Sequence, residues 1–395
     1  MRFAHFADCH IGGWKEECLR ELNLQAFRKA IDICIEKNVD FVLISGDLFN
    51  TALPQIDFIK EATKELRRLR DGRIPVYMVP GSHDYSPSGK TMLKVLEKAK
   101  LIHNVVNFNE GRLSFTIDPK TNVKITGLWG KKGGLEKSDY KVLNKNELEL
   151  EEGYKIFMFH TAINEFKPRG MESMEGEDVT SLPNNFNYYA GGHVHYIFKK
   201  EYGKGYLTFP GALFPNNFKE LEEWNCGGLY LVEENNLDYV PIKLKDVVSF
   251  TFDVDGKDVD EAKQMIISTL RNGDLRDKIV TIRVRGELNG KASDLKFKEI
   301  LEYTQDAFHV LKNTAKLKSK TNLKVNLKEG SVQEIEKELV KEVESEVKIK
   351  ELTKEDEVRF TENLMVMLDK DRGEGEKVQD FEKRIISEVE KVLEL

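Results

Sequence analysis

At 395 residues the chain is long enough for two or three domains, with a core that buries most of its apolar surface. Its residues are 40% hydrophobic and 33% charged, and no run of about 18 apolar residues occurs, which excludes a helical membrane span. The net charge of −7 is uneven: residues 331–395 carry 20 acidic and 12 basic groups, leaving 48 against 49 in residues 1–330, so the body can still bear a local basic face.

The opening MRFAHFAD reads as a short strand ending in Asp8, without the basic-then-apolar build of a signal peptide. Residues 16–37 place Leu19, Leu22, Phe27, Ala30, Ile31 and Cys34 at helical spacing. VDFVLISGDLF is a continuous apolar run closing on Gly46-Asp47, the pattern of a buried parallel strand. A second helix is predicted over 54–70, a third strand at IPVYMVP and a third helix over 88–100. This alternation predicts a layered α/β domain. Weaker strands follow at LSFTID, NVKITGLWG, YKIFMFHTA, NYYAGGHVH, GYLTFPGAL and GGLYLVE, dense enough for a second sheet facing the first. The first domain is therefore expected to span 1–245.

From Asp246 the pattern becomes strand (SFTFDV), helix (VDEAKQMIISTL), strand (KIVTIRVRG), helix (SDLKFKEILEYT) and strand (FHVLKNTAKL), a small α+β domain over 246–325. Residues 326–395 form a charged helical tail. Val332, Ile335, Leu339, Val343 and Val347 recur every three or four residues, as do Val378, Phe381, Ile385, Val389 and Val392. Thr353-x-x-Asp356 can start a further helix, and the Arg-Gly-Glu-Gly stretch at 372–375 separates the last two. The cysteines are Cys9, Cys18, Cys34 and Cys226, with no C-x-x-C pair. That spacing suggests no zinc site, and a reducing cytosol is the simplest compartment.

Five short motifs carry chemistry: Asp8-Cys9-His10, Gly46-Asp47, Gly81-Ser82-His83-Asp84, His160, and Gly192-His193-Val194-His195. Singly each is an ordinary turn or strand end. Loops beyond the carboxyl ends of strands share one crevice, however, so residues far apart in sequence can converge there. Carboxylate oxygens with imidazole nitrogens suit manganese, iron or zinc. Two ions about 3.5–4 Å apart can clamp a phosphate and acidify a bound water, and an unliganded His can protonate the leaving oxygen. His5 is expected to pack in or near the first strand, Cys9 to point into the core, and His103 and His309 to be surface or partly buried.

In this order the motifs resemble the calcineurin-like metallophosphoesterase superfamily. The finer form HFADCHIG, SGDLF, GSHD, FH, GGHVH and FPGAL is similar to its SbcD-type nucleases of double-strand-break repair, which work with an SMC-like ABC ATPase of the SbcC type. GDLF is the distinguishing feature, since protein phosphatases of the superfamily carry a second Asp after the Gly-Asp. The resemblance implies an α/β fold: a two-sheet metallophosphoesterase sandwich, a small α+β capping domain over the active site that guides DNA, and a C-terminal helical tail whose helix-loop-helix binds the ATPase. It also implies two divalent ions, with manganese as activator. Asp8, His10, Asp47 and His195 would hold one, and Asp47, Ser82, His160 and His193 the other. His83 would be the catalytic histidine, with Asp84 behind the ligands and no role assigned to Asn50. The family has Asn where this chain has Ser82; a hydroxyl is a shorter and weaker ligand than an amide oxygen, so the second site is expected to be looser. Further implications are DNA ends as substrate, double- and single-stranded, exonuclease with endonuclease action, a homodimer through the helix carrying Met92, Leu93 and Leu96, a cytoplasmic setting and no membrane partner. Two other readings stay open: an esterase of small phosphate esters on the same fold, and a non-catalytic DNA-binding subunit with a degenerate site at Ser82.

Overall fold

The computed structural model describes residues 1–320 apart from 87, 172 and 235, together with 359–361, 363, 364, 367, 370 and 378–392. They fall into two compact units, Met1–Leu288 with Ala292–Lys318, and Asn289–Lys291 with Ser319–Leu395. In the larger unit two six-stranded sheets face each other. The first runs in the order Asn236–Ile242, Gly227–Glu233, Arg2–Phe6, Phe41–Ser45, Val76–Val79, His103–Asn104. The last four of these are parallel, and Gly227–Glu233 is antiparallel to Arg2–Phe6. The second sheet runs Phe198–Tyr202, Gly205–Phe209, Tyr188–Gly192, Lys155–His160, Lys124–Gly127, Thr116–Ile117, with the middle four parallel.

The strand residues split by parity, as the period of two requires. Phe3, Phe41, Leu43, Tyr77 and Val79 enter the layer between the sheets, where they meet Ile125, Ile156, Met158, Tyr188 and Ala190. Ala4, Phe6, Val42, Ile44, Val76 and Met78 face the other way, onto the helices Glu17–Glu36 and Ile56–Asp71 through Leu19, Phe27, Ile31, Ala62 and Leu66. Both faces of these strands are covered, which is why their sequences read as unbroken apolar runs. On the outer side of the second sheet, Phe157, Phe159, Tyr189, Leu207 and Phe209 form a further core with Phe186 and Tyr140.

Several elements differ from the sequence expectation. The edge strands Phe198–Tyr202 and Asn236–Ile242 were not expected; edge strands carry polar side chains toward water, and Lys199, Lys200 and Glu201 are exposed. The helix expected over 88–100 is shorter, Met92–Lys98, because the Thr91 hydroxyl accepts the Leu93 N–H at 3.1 Å and starts it there. Leu93 and Leu96 of that helix are buried in the main core, so they are not available to a second subunit; Val95 is the exposed apolar side chain, at 56%. LSFTID splits into Arg112–Leu113 and Thr116–Ile117, which pair with different partners. Short helices at Lys137–Lys141, Lys145–Leu150 and Phe218–Trp224 were also unforeseen.

A smaller three-stranded sheet, Val247–Asp253, Ile279–Leu288 and His309–Ser319, is backed by the helix Val259–Asn272, whose start is a capping box of Asp258 and Glu261. Phe252, Ile266, Leu270, Ile282, Val284 and Ile300 make its own core. The helix expected at SDLKFKEILEYT is broken: Lys296 takes a left-handed φ of 46° between a 3-10 turn, Ala292–Leu295, and a short helix, Phe297–Leu301. Leu295 and Ile300 are both buried. Five positions apart they would stand about 140° round an unbroken helix, and the break lets both reach the core. In the second unit, Val378–Val392 is helical, and Lys370 pairs with Glu388 at 2.8 Å. The expectations for 331–347, 353–356 and 372–375 lie outside the described residues. Among the described residues no helix is long and apolar enough to cross a membrane.

His5 is a core residue, with Nδ1 2.9 Å from the Tyr188 hydroxyl and Nε2 2.9 Å from Ser45 Oγ. Burial pushes its pKa down to about 3. The unfolded chain therefore takes up a proton near pH 6.5 that the folded chain refuses. This contribution to stability is complete above that pH and is lost as pH falls toward 3. Between pH 7.5 and pH 5 it amounts to about 2 kcal/mol. Urea unfolding at both pH values is expected to show His5→Gln losing about 2 kcal/mol less than the parent on acidification; equal losses would show that His5 is not the group responsible.

Candidate metal centre

The five motifs converge at one end of the sandwich. Asp8 follows Arg2–Phe6, Asp47 follows Phe41–Ser45, and the 81–84 turn follows Val76–Val79, all from the first sheet. His160 ends its strand and His193 follows Tyr188–Gly192, both from the second. The two sheets touch closely here. A Cβ on Gly192 would stand 1.9 Å from the Ser45 carbonyl oxygen, and one on Gly46, already at φ +88°, would stand 2.1 Å from His160 Nδ1. Only glycine fits at either position. Asp8, His10, Asp47 and His193 have φ of 50°, 42°, 52° and 85°, a left-handed backbone that side-chain-bearing residues seldom adopt. Such strain is maintained where the surrounding structure overrides it, typically at a functional site.

Among the described residues, three sets of side chains bring their ligand atoms within 4.8 Å of one another: Asp8, His10 and His195; His10, Asp47 and His83; Asp8, Asp47 and His160. His10 Nε2 lies 3.1 Å from His195 Nε2, and both lie 3.8–3.9 Å from Asp8 Oδ1. Ligands about 2.1 Å from one ion stand about 3.0 Å apart when adjacent and up to about 4.2 Å when opposite, so these separations are compatible with a shared cation. His160 supplies the sharper test of fit. Its Nδ1 donates to the Ser45 carbonyl at 2.8 Å, which turns Nε2 into the cluster. That atom is buried without a hydrogen-bond partner and points at Asp47 Oδ2, 3.2 Å away. A bare nitrogen would be repelled by that carboxylate, and positive charge relieves the clash: a proton on the ring, favoured by Asp47, or a divalent cation in its place.

Several of these side chains are also held from behind, whereas His10 Nδ1 is buried without a hydrogen-bond partner. His195 Nδ1 donates to Glu220 Oε1 at 2.8 Å, turning Nε2 inward. His83 Nδ1 donates to the Asn50 carbonyl at 2.8 Å, and its main-chain N–H donates to Asp47 Oδ1 at 2.8 Å. The main-chain N–H of His193 donates to both Asp8 oxygens at 3.1 Å, and its ring stands 5.2 Å from that of His160. Ser82 Oγ lies 3.5 Å from Asp47 Oδ2. Asp84 accepts the N–H of Gly81 at 3.1 Å and faces those of Leu48 and Phe49 at 3.4 and 3.5 Å, bracing the turn behind the cluster. Cys9 is buried in the main core, as expected from its parity.

The electrostatics show a cluster short of positive charge. Burial pushes Asp8 up to about 7 against the pull of His160 and His195, and burial with Asp47 carries Asp84 to about 7. Burial also opposes ionisation of Asp47, but His160, His10 and His83 overcome it and hold Asp47 below the ordinary carboxylate range. Burial works against charged His160 and His195 too; Asp47 still lifts His160 to about 10, and the Glu220 bond with Asp8 lifts His195 to about 9. His10 and His193 are driven down to about 3, chiefly by burial, which keeps them neutral and able to act as donors.

Sequence reasoning missed Glu220 and the carbonyls of Ser45 and Asn50. Carbonyls leave no trace in a sequence. Glu220 does: Asn217-x-x-Glu220 resembles a helix-capping box, and Asn217 Oδ1 does accept the Glu220 N–H at 3.0 Å. Its carboxylate is instead turned onto His195 and the Asn216 N–H.

Comparison with known proteins agrees with this arrangement. The family model described as Calcineurin-like phosphoesterase matches residues 1–196. The chain is 30% identical over 281 residues to the DNA double-strand break repair protein Mre11 of Methanococcus maripaludis, covering 65% of this chain and 70% of that one. The protein of the same name from Archaeoglobus fulgidus is 23% identical over 344 residues, covering 78% and 76%, and that of Sulfolobus acidocaldarius is 26% identical over 347 residues, covering 82% and 85%. The matched segment of the family model contains every motif that converges on the centre, and the chain therefore belongs to the calcineurin-like phosphoesterases, in the branch of the archaeal Mre11 proteins.

Proposed function

We propose that the chain is a metal-dependent nuclease that hydrolyses phosphodiester bonds at DNA ends, as exonuclease and also endonuclease, with two manganese ions. The observation that carries this reading is the buried, partnerless His160 Nε2 aimed at Asp47, in a member of a family whose relatives are named for double-strand break repair. Asp8, His10 and His195 would hold one ion, Ser82, His160 and His193 the other, and Asp47 both. When bound, such ions clamp a phosphate and acidify the attacking water. His83, tied through Nδ1 to Asn50, keeps Nε2 for proton delivery to the leaving oxygen. Glu220 fixes the tautomer of His195, and Asp84 holds the 81–84 turn against the 47–49 loop.

Around this centre, the small sheet of residues 246–318 would guide DNA. The amphipathic helix Val378–Val392 would dock on a coiled-coil ATPase partner, with Phe381, Ile385 and Val389 on one side. Leu53, Ile56 and Val95, exposed at 66%, 81% and 56%, would supply apolar contacts to a second copy of the chain.

The test is digestion of end-labelled single- and double-stranded DNA with manganese, with magnesium and with EDTA. Shortening that requires manganese is expected. Ser82→Asn is expected to lower the manganese concentration needed, since the amide oxygen reaches further than the hydroxyl. Intact DNA in every metal would overturn the reading. Turnover of bis(p-nitrophenyl) phosphate in that case would indicate a small-ester hydrolase, and DNA binding without turnover a non-catalytic subunit.

A further inference from the structure

The helix Phe218–Trp224 joins the candidate metal centre to the small sheet. Leu221, fully buried, fixes it to the main core. Residues two apart point to opposite sides of a helix, about 200° round, and here the two sides grip different structures. Glu220 accepts from His195 Nδ1 at 2.8 Å and from the Asn216 N–H at 2.7 Å. Glu222 takes Arg283 with both carboxylate oxygens: Arg283 Nε stands 3.1 and 3.2 Å from them, and Nη2 donates to one at 2.6 Å. The same guanidinium lies 5.0 Å over the Phe218 ring. Arg283 sits on Ile279–Leu288, the central strand of the small sheet. The side chains of Arg283 and Glu222 are only 21% and 16% exposed, so this forked pair is shielded from the screening that makes surface ion pairs weak.

We propose that Arg283 and Glu222 are positioning residues for the metal centre: they set the helix whose Glu220 aims His195, and so link the small sheet to ion binding. A helix of seven residues has almost no stability of its own, and its placement is decided by what holds its faces. Without Arg283, Glu222 keeps a largely covered charge that has lost its partner and turns toward water. The helix then relaxes, and His195 Nε2 loses its fixed place 3.1 Å from His10 Nε2. Linkage is reciprocal: an ion held by His195 steadies the small sheet, and whatever loads that sheet changes ion affinity. This inference rests on the metal reading of the centre. Under the proposed function, DNA lying on the small sheet would tighten the ion that cuts it.

The experiment is manganese titration calorimetry on the full-length chain without DNA, for the parent, Arg283→Met, Glu222→Gln, Arg283→Lys and the reversal Arg283→Glu with Glu222→Arg. Amide hydrogen exchange with and without manganese accompanies it. Direct supporters of a metal-bound His are worth about 10–100-fold in affinity. One step further removed, Arg283→Met and Glu222→Gln are each expected to weaken one of the ions by about 3–30-fold. Arg283→Lys, which keeps the charge but not the fork, should fall between, and the reversal should regain affinity. Manganese should protect the amides of 218–224 and 279–288 in the parent and less so in the single variants. Lowered thermal midpoints with parental manganese affinity would mean that the pair is only structural and would overturn the inference. A parent that binds no manganese would overturn the metal reading first, and this one with it.

Discussion

Asp47→Ala is expected to cut hydrolysis by about 10³-fold or more and to abolish tight binding of both ions. Asp47, like Asp8, belongs to two of the three ligand sets, and its Oδ2 faces both His160, at 3.2 Å, and His10, at 3.8 Å. A divalent ion in such a site contributes several kcal/mol to the transition state, and about 1.4 kcal/mol corresponds to tenfold in rate. Alanine also deprives the His83 N–H of its acceptor, so part of its effect would be a displaced loop. Asp47→Asn separates the two causes, because the amide oxygen can still accept that hydrogen bond while the negative charge is gone. Nuclease assay and manganese calorimetry on both variants decide the matter. An Asn variant that kept activity within tenfold of the parent would show that Asp47 bridges nothing essential.

The second large effect is expected at His83. His83→Ala should lower the rate on DNA by about 10²–10⁴-fold, the range for a positioned proton donor, with manganese affinity unchanged. The geometry sets a real alternative against this, because His83 also belongs to a possible ligand set with His10 and Asp47, and its ring stands 4.8 Å from that of His10. The two roles predict different data. A proton donor matters little when the leaving group needs no proton, so the variant should retain most of its rate on bis(p-nitrophenyl) phosphate. A ligand would cost the same on both substrates and would lower manganese affinity. That second pattern would remove His83 from the proton-transfer role.

Much of this was legible in the sequence, for an identifiable reason. Asp8, Asp47, Ser82, His83, His160 and His193 lie at or just beyond strand ends, and all five strands concerned are covered on both faces, so their apolar runs stand out. Convergence then follows from parallel pairing, which brings carboxyl ends to one side. What stayed hidden has physical causes too. Phe198–Tyr202 reads as a polar loop because edge strands present lysines to water. The break at Lys296 obeys the burial of Leu295 and Ile300, a tertiary demand that local propensity does not announce. Glu220 has the look of a capping residue, and only the fold shows that its acid serves His195. Leu93 and Leu96 have the spacing of a contact face, and they do make one, with the protein's own core.

His10 and His195 meet at 3.1 Å although 185 residues separate them. During synthesis the first of these emerges from the ribosome long before the second, and the proposed ligand set stays incomplete in the interval. The strand Tyr188–Gly192, which carries His193 and His195 to the seam, must first settle beside Lys155–His160. Joining ends so far apart is entropically costly and comes late in folding. Under the proposed function, a chain that cuts nucleic acid would thereby be born inert, and the order of its own manufacture would delay its chemistry until the sandwich has closed.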